Sequence, residues 1–147
     1  MLRKRCSTDK RRMTNDKSLS EGRKAQLTKV RKYDLDVRTH EFSKAVRRFV
    51  QKIPKNISNI EDMRQLIRSS GSVCANYLEA SSAISKKDFL HRIKICRKEA
   101  KESWHWLDCI DPGNIPEVQN ERGQLLRESF ELIRIFSASI RTLELQI

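Results

Sequence analysis

The chain has 147 residues, enough for one domain with a continuous core and too few for two ordinary ones. Only four Gly and three Pro occur while Leu, Ile, Lys, Arg, Glu and Ser abound, which favours long helices over turn-rich sheets and makes the expected class all-α. The net charge is +12, no apolar run approaches the ~20 residues needed to cross a bilayer, and the N-terminus lacks the apolar stretch of a secretory signal, so the expectation is a cytoplasmic protein.

The charge is unevenly placed. Residues 1–33 carry twelve Lys or Arg against Asp9, Asp16 and Glu21, whereas residues 34–147 carry nineteen against sixteen acids. A basic, Ser/Thr-containing segment with few apolar residues cannot bury enough surface to offset its ordering entropy. Residues 1–32 are therefore expected to form a disordered basic tail, and residues 33–147 the folded domain.

Within that domain, Phe42, Ala45, Val46, Phe49, Val50 and Ile53 recur at helical spacing, which predicts a first helix from about Val37 to Ile53, stopped by Pro54. Ser58 and Glu61, three apart, have the spacing of a reciprocal N-terminal cap for a second helix. Its expected core face is Ile60, Met63, Ile67, Ser70, Cys74, Tyr77 and Leu78, with the helix unbroken through Gly71 because the apolar period continues. Ser85 and Asp88 open a third helix whose face is Phe89, Ile93, Cys96, Ala100, Trp104 and Leu107, and Asp111-Pro112-Gly113-Asn114 ends it. The fourth begins at Asn114 to Pro116, with Val118, Leu125, Ser129, Leu132, Ile133, Phe136, Ile140, Leu143 and Ile147 as its stripe. Four amphipathic helices on short connections bury their stripes most simply as an antiparallel up-down-up-down four-helix bundle.

At the second and third helices the sequence resembles a known family. The run Arg68-Ser69-Ser70-Gly71-Ser72-Val73-Cys74-Ala75-Asn76-Tyr77-Leu78-Glu79-Ala80 is similar to the central motif of the 23S rRNA intervening-sequence proteins, bacterial four-helix bundles first noticed as reading frames within large-subunit ribosomal RNA genes. Arg97-Lys98-Glu99-Ala100-Lys101-Glu102 with Trp106-Leu107 looks like the family's second motif, and the resemblance covers roughly Tyr33 to the C-terminus. It implies a four-helix protomer assembling into a homo-oligomer, a ring of five in the nearest analogy. The family is also similar to the accessory protein of diversity-generating retroelements, a basic pentamer that works with a reverse transcriptase and RNA. The basic extension before Tyr33 departs from the family pattern, with Met13 or a later codon as an alternative start.

Catalytic chemistry finds little support in the residues. Glu102/His105 has the Glu-x-x-His spacing of a di-iron bundle and Asp88/His91 imitates it, but both pairs lie on one helix, about 21 Å apart along its axis, and cannot clasp one cluster. His105 and Cys109 at i and i+4 supply at most half of a zinc site, and Cys6, Cys74, Cys96 and Cys109 show no paired spacing. Ser69, Ser70 and Ser72 have no nearby His and no nucleophile elbow, so they read as small residues admitting a close helix. No cofactor, metal or catalytic residue is expected.

The basic residues are more informative. At 100° per residue, Lys87, Lys94, Lys98 and Lys101 fall in one band of the third helix, and Arg127, Arg134 and Arg141 repeat every seven residues on the fourth. Two such ridges can track a phosphate backbone, RNA or DNA, although most charge runs are simply solvated faces. A separate line of Ile95, Glu99, Glu102 and Trp106 points away from the core stripe, and its Ile and Trp are expected to be exposed in a monomer. Arg68, Ser72, Ala75 and Glu79 form another off-core line, small in the middle and oppositely charged at its ends. Both lines are expected to serve subunit contact. Two functions follow: a nucleic-acid-binding homo-oligomer accessory to an enzyme such as a reverse transcriptase, or a protein-interaction module in which charge only maintains solubility.

Overall fold

The computed structural model describes residues 34–147, and the basic tail expected over residues 1–32 lies outside them. Among the described residues there are four α-helices and no strands: α1 (Leu35–Val50), α2 (Ile57–Ser81), α3 (Lys86–Cys109) and α4 (Pro116–Glu144).

Helix ends follow local chemistry. α1 stops at Val50, three residues before the expected Ile53, because the N–H groups of Lys52 and Ile53 turn back to Phe49 and Val50 ahead of Pro54. The cap of α2 is Asn56 rather than Ser58: its Oδ1 accepts the Asn59 N–H at 2.8 Å, so the Ser58/Glu61 pair falls inside the first turn. Asn caps as well as Ser, and it lies closer to the extended Pro54 segment. α3 is capped as expected by Ser85 Oγ, which accepts the Asp88 N–H at 3.1 Å. α4 starts with Pro116, whose missing N–H costs nothing in a first turn. Gly113, at φ 73°, makes the intervening turn.

Each helix packs on its chain neighbours, and α1 also meets α4, so the four close a ring. Near the start of α1, Ser81 Oγ donates to Asp36 Oδ1 at 3.1 Å, and Arg38 bonds Glu128 through Nε at 2.6 Å and Nη2 at 3.0 Å. Lys52 meets Glu121 at 2.7 Å and Lys94 meets Glu144 at 2.8 Å.

Inside the ring lie Phe42, Val46, Phe49, Leu66, Val73, Ile93, Leu107, Leu132 and Phe136. Each such side chain contributes about 1.5–3 kcal/mol by leaving water. The stripes of α1 and α4 lie largely where periodicity puts them, except that Ile147 is exposed beyond the end of α4. The face of α2 is rotated from its expectation. Leu66, Ser69 and Val73 are buried, Ile60, Ile67 and Tyr77 are half-buried, and Leu78 is exposed. On α3, Ser103 occupies the core and hydrogen-bonds Ser69 at 2.9 Å, whereas Trp104 is exposed. Small buried serines let α2 and α3 approach closely, and a purely hydrophobic pattern passes over them.

Candidate nucleic-acid interface

On α3 the core line runs through Ile93, Cys96, Ala100, Ser103 and Leu107, which leaves the opposite side of the helix to solvent. Lys87, Lys94, Lys98 and Lys101 are all exposed there. The same arithmetic holds on α4, where Arg127, Arg134 and Arg141 are exposed opposite Leu125, Leu132 and Phe136. Since α3 and α4 are packed neighbours, the two ridges lie on adjacent helices.

Three ridge cations have acidic neighbours: Lys94 with Glu144 at 2.8 Å, Lys98 with Glu102 at 3.9 Å, and Arg134 with Glu131 at 3.1 Å. Exposed pairs of this kind contribute about 0–1 kcal/mol, so the cation exchanges its partner for a phosphate at little cost. Lys87, Lys101, Arg127 and Arg141 form no ion pair among the described residues. Lys94, Lys98 and Lys101 line a shallow depression of about 420 Å³ with Arg97, Glu102, His105 and Trp106. Arg97 was absent from the expected ridge, although its spacing of three from Lys94 and four from Lys101 places it beside both.

The two lines expected at a subunit contact meet each other within the protomer. Arg68 on α2 donates to Glu102 at 2.7 Å and lies 3.8 Å from Glu99, and Arg92 pairs with Glu79. Ser72 is half-buried and Ala75 exposed between them. Ile95 and Trp106, expected to be exposed in a monomer, are instead half-buried; the Trp106 ring packs against the core and stands edge-on to His105 at 4.7 Å. Two polar atoms on this side are buried without a hydrogen bond, Glu99 Oε2 and Trp106 Nε1. Burial, reinforced by the Glu102 charge, raises the Glu99 pKa against the opposing pull of Arg68 and Lys98.

His105 Nε2 and Cys109 Sγ approach to 3.7 Å, and no group of three or more His, Cys, Asp or Glu suited to a metal gathers among the described residues. No helix among them is long and apolar enough to cross a membrane.

Among the described residues, an all-helical fold of four packed helices with exposed basic ridges is the class that fold and surface define. The family model for the 23S rRNA-intervening sequence protein matches residues 31–137, more than half of the chain, and the protein belongs to that family. A solved structure from Bacteroides thetaiotaomicron, described as a protein of unknown function from the S23 ribosomal protein family, is similar at 24% identity with a TM-score of 0.60. The match covers 71% of this chain and 96% of that one, and it supports the fold. No curated protein matches.

Proposed function

We propose that the protein is a non-enzymatic, homo-oligomeric bundle, antiparallel and up-down-up-down, that binds RNA or DNA through the α3 and α4 ridges and serves as an accessory or scaffold for a nucleic-acid enzyme. The observation that carries this reading is the exposure of all seven ridge cations on the outward sides of two neighbouring helices. Such a surface offers phosphates several simultaneous contacts, with affinity dominated by counterion release and little base reading. The family name, which refers to an intervening sequence of ribosomal RNA, agrees with a nucleic-acid setting without naming an activity.

A second reading, an interaction module whose oligomer is the functional unit, draws support from Glu99 Oε2 and Trp106 Nε1. Two buried polar atoms without a hydrogen bond on one side of α3, the carboxylate oxygen compensated only by Arg68 at 3.8 Å, are costly, and a second copy that brings a donor to one and an acceptor to the other relieves that cost. The experiment that separates the readings is titration of the full chain against unrelated RNA and DNA sequences across a range of salt. Similar affinities that fall steeply and linearly in log salt support the ridges. No binding even at low salt, together with a native mass above that of one chain, favours the interaction module.

A further inference from the structure

Trp104 and Phe130 are the two exposed side chains of the Phe, Tyr and Trp type among the described residues, at 39% and 53% exposure. Phe130 stands in the α4 ridge, and Trp104 flanks the α3 ridge on its Arg97 side. On α3, Arg97 and Lys101 precede Trp104 by seven and three residues, so the three share one side of the helix. On α4, Arg127 lies three residues before Phe130 and Arg134 four after it, and Phe130 lines one depression with Arg134 and Arg141. Neither ring belongs to the core cluster. By contrast, most of the exposed aliphatic side chains, Ile57, Ile84, Ile115 and Leu145 among them, sit at helix ends or in connections, where stray apolar exposure is ordinary.

The chemistry of the partner follows from that coincidence. A duplex presents phosphates to a basic ridge but keeps its base faces stacked inside, so an aromatic ring beside the cations gains nothing from it. A single strand presents phosphates and open base faces together, and aromatic rings interleaved with cations take both, tolerant of sequence because every base has a π face. Trp is the better platform of the two, and a cation one or two turns away holds the adjoining phosphate.

We infer that the ridges take single-stranded nucleic acid, with unpaired bases stacking on Trp104 and Phe130 while the flanking Arg and Lys hold the backbone. This rests on the nucleic-acid reading of the ridges and adds the strandedness of the partner and the residues that sense it. Trp106 also borders the depression of Lys94, Lys98 and Lys101, but its ring is half-buried and packs against the core, so the bases are assigned to Trp104 and Phe130.

The test compares the full chain with a Trp104→Ala/Phe130→Ala variant, by fluorescence anisotropy, on an oligothymidylate of about 30 nucleotides and on a mixed-sequence duplex of equal length. Affinity for the single strand is expected to fall roughly tenfold or more in the variant, with the slope of log affinity against log salt unchanged because no cation is lost. Duplex affinity should hold within about twofold, and Trp104→Phe alone, which keeps a π face, should retain most of the single-strand affinity. Helicity is measured in parallel, and both rings are exposed, so the fold is expected to persist. Equal losses on both ligands, or no loss on either, would overturn the stacking while leaving the phosphate reading intact. Absence of binding by the unaltered chain would remove both. A variant with changed native mass would assign the rings to subunit contact and overturn the inference.

Discussion

Asn59 and Asp111 exchange two hydrogen bonds across one end of the helix ring: Asn59 Nδ2 donates to the Asp111 carbonyl at 3.0 Å, and the Asp111 backbone N–H donates to Asn59 Oδ1 at 3.0 Å. The same Nδ2 donates to the Pro54 carbonyl at 2.8 Å, so one buried carboxamide ties the α1–α2 connection to the α3–α4 connection. Replacing Asn59 with Ala removes three hydrogen bonds at once and leaves the Asp111 N–H and carbonyl without their partner, while the Pro54 carbonyl keeps the Asn56 N–H. Stability should fall by about 2–4 kcal/mol, read as a lower urea midpoint with an unchanged slope.

Gly71 lies inside α2, which runs unbroken through it. A Cβ built there meets only the Arg47 Nη2 at 3.3 Å, the far end of a flexible side chain able to shift. Gly71→Ala should therefore raise stability by up to about 1 kcal/mol, the usual difference in helix propensity, as a higher melting temperature. A fall would show that Arg47, which also bonds the Ser43 carbonyl at 3.1 Å, cannot move away.

The outcome at Gly71 illustrates what was legible in the sequence. Helix number, class and most of the α1 and α4 stripes follow from apolar spacing because large hydrophobic residues occupy those seams. On α2 and α3 the seam passes through Ser69, Ser70 and Ser103, all buried, so weighting by hydrophobicity drew Leu78 and Trp104 inward when both are exposed. The cations of the ridges were readable from seven-residue spacing, since long charged side chains almost always keep their heads in water. Trp104 and Phe130 were not readable as surface rings: an aromatic residue at helical spacing is usually core, and only the packing of serines shows otherwise. Nor could spacing reveal that Arg68 and Glu102 meet within a protomer, because that depends on how α2 and α3 are set against each other.

Glu99 gives a pH signature of definite sign. Its folded-state pKa is raised by burial and by Glu102, so the ionised carboxylate opposes folding, fully so above the folded pKa. That penalty is relieved as pH falls through the folded value toward the unfolded one. Glu99→Gln should stabilise the protein near neutral pH, and the gain should shrink to nothing on acidification through that window, followed by melting temperature against pH. Destabilisation by Gln at neutral pH would mean that attraction to Arg68, 3.8 Å away, outweighs burial.

The cysteines should divide by environment. Cys96 is fully buried with its thiol donating to the Val73 carbonyl at 3.6 Å, and burial pushes its pKa up to about 12, whereas Cys109 is exposed. Alkylation of the native protein near pH 8, read by peptide mass, should mark Cys109 rapidly and Cys96 only after unfolding. Rapid native labelling of Cys96 would contradict the packed α2–α3 seam.

The ridges themselves are tested most directly by reversing the four cations that have no acidic partner among the described residues: Lys87, Lys101, Arg127 and Arg141, each to Glu. All four are exposed and off the core stripes, so helicity and native mass should be unchanged. Affinity for unrelated nucleic-acid sequences should fall by similar factors, since backbone contacts carry no sequence information. The slope of log affinity against log salt should flatten by about 0.7–0.9 for each reversed residue that contacts a phosphate. Full-strength binding with an unchanged salt slope in this variant would contradict the assignment of nucleic-acid binding to the α3 and α4 ridges.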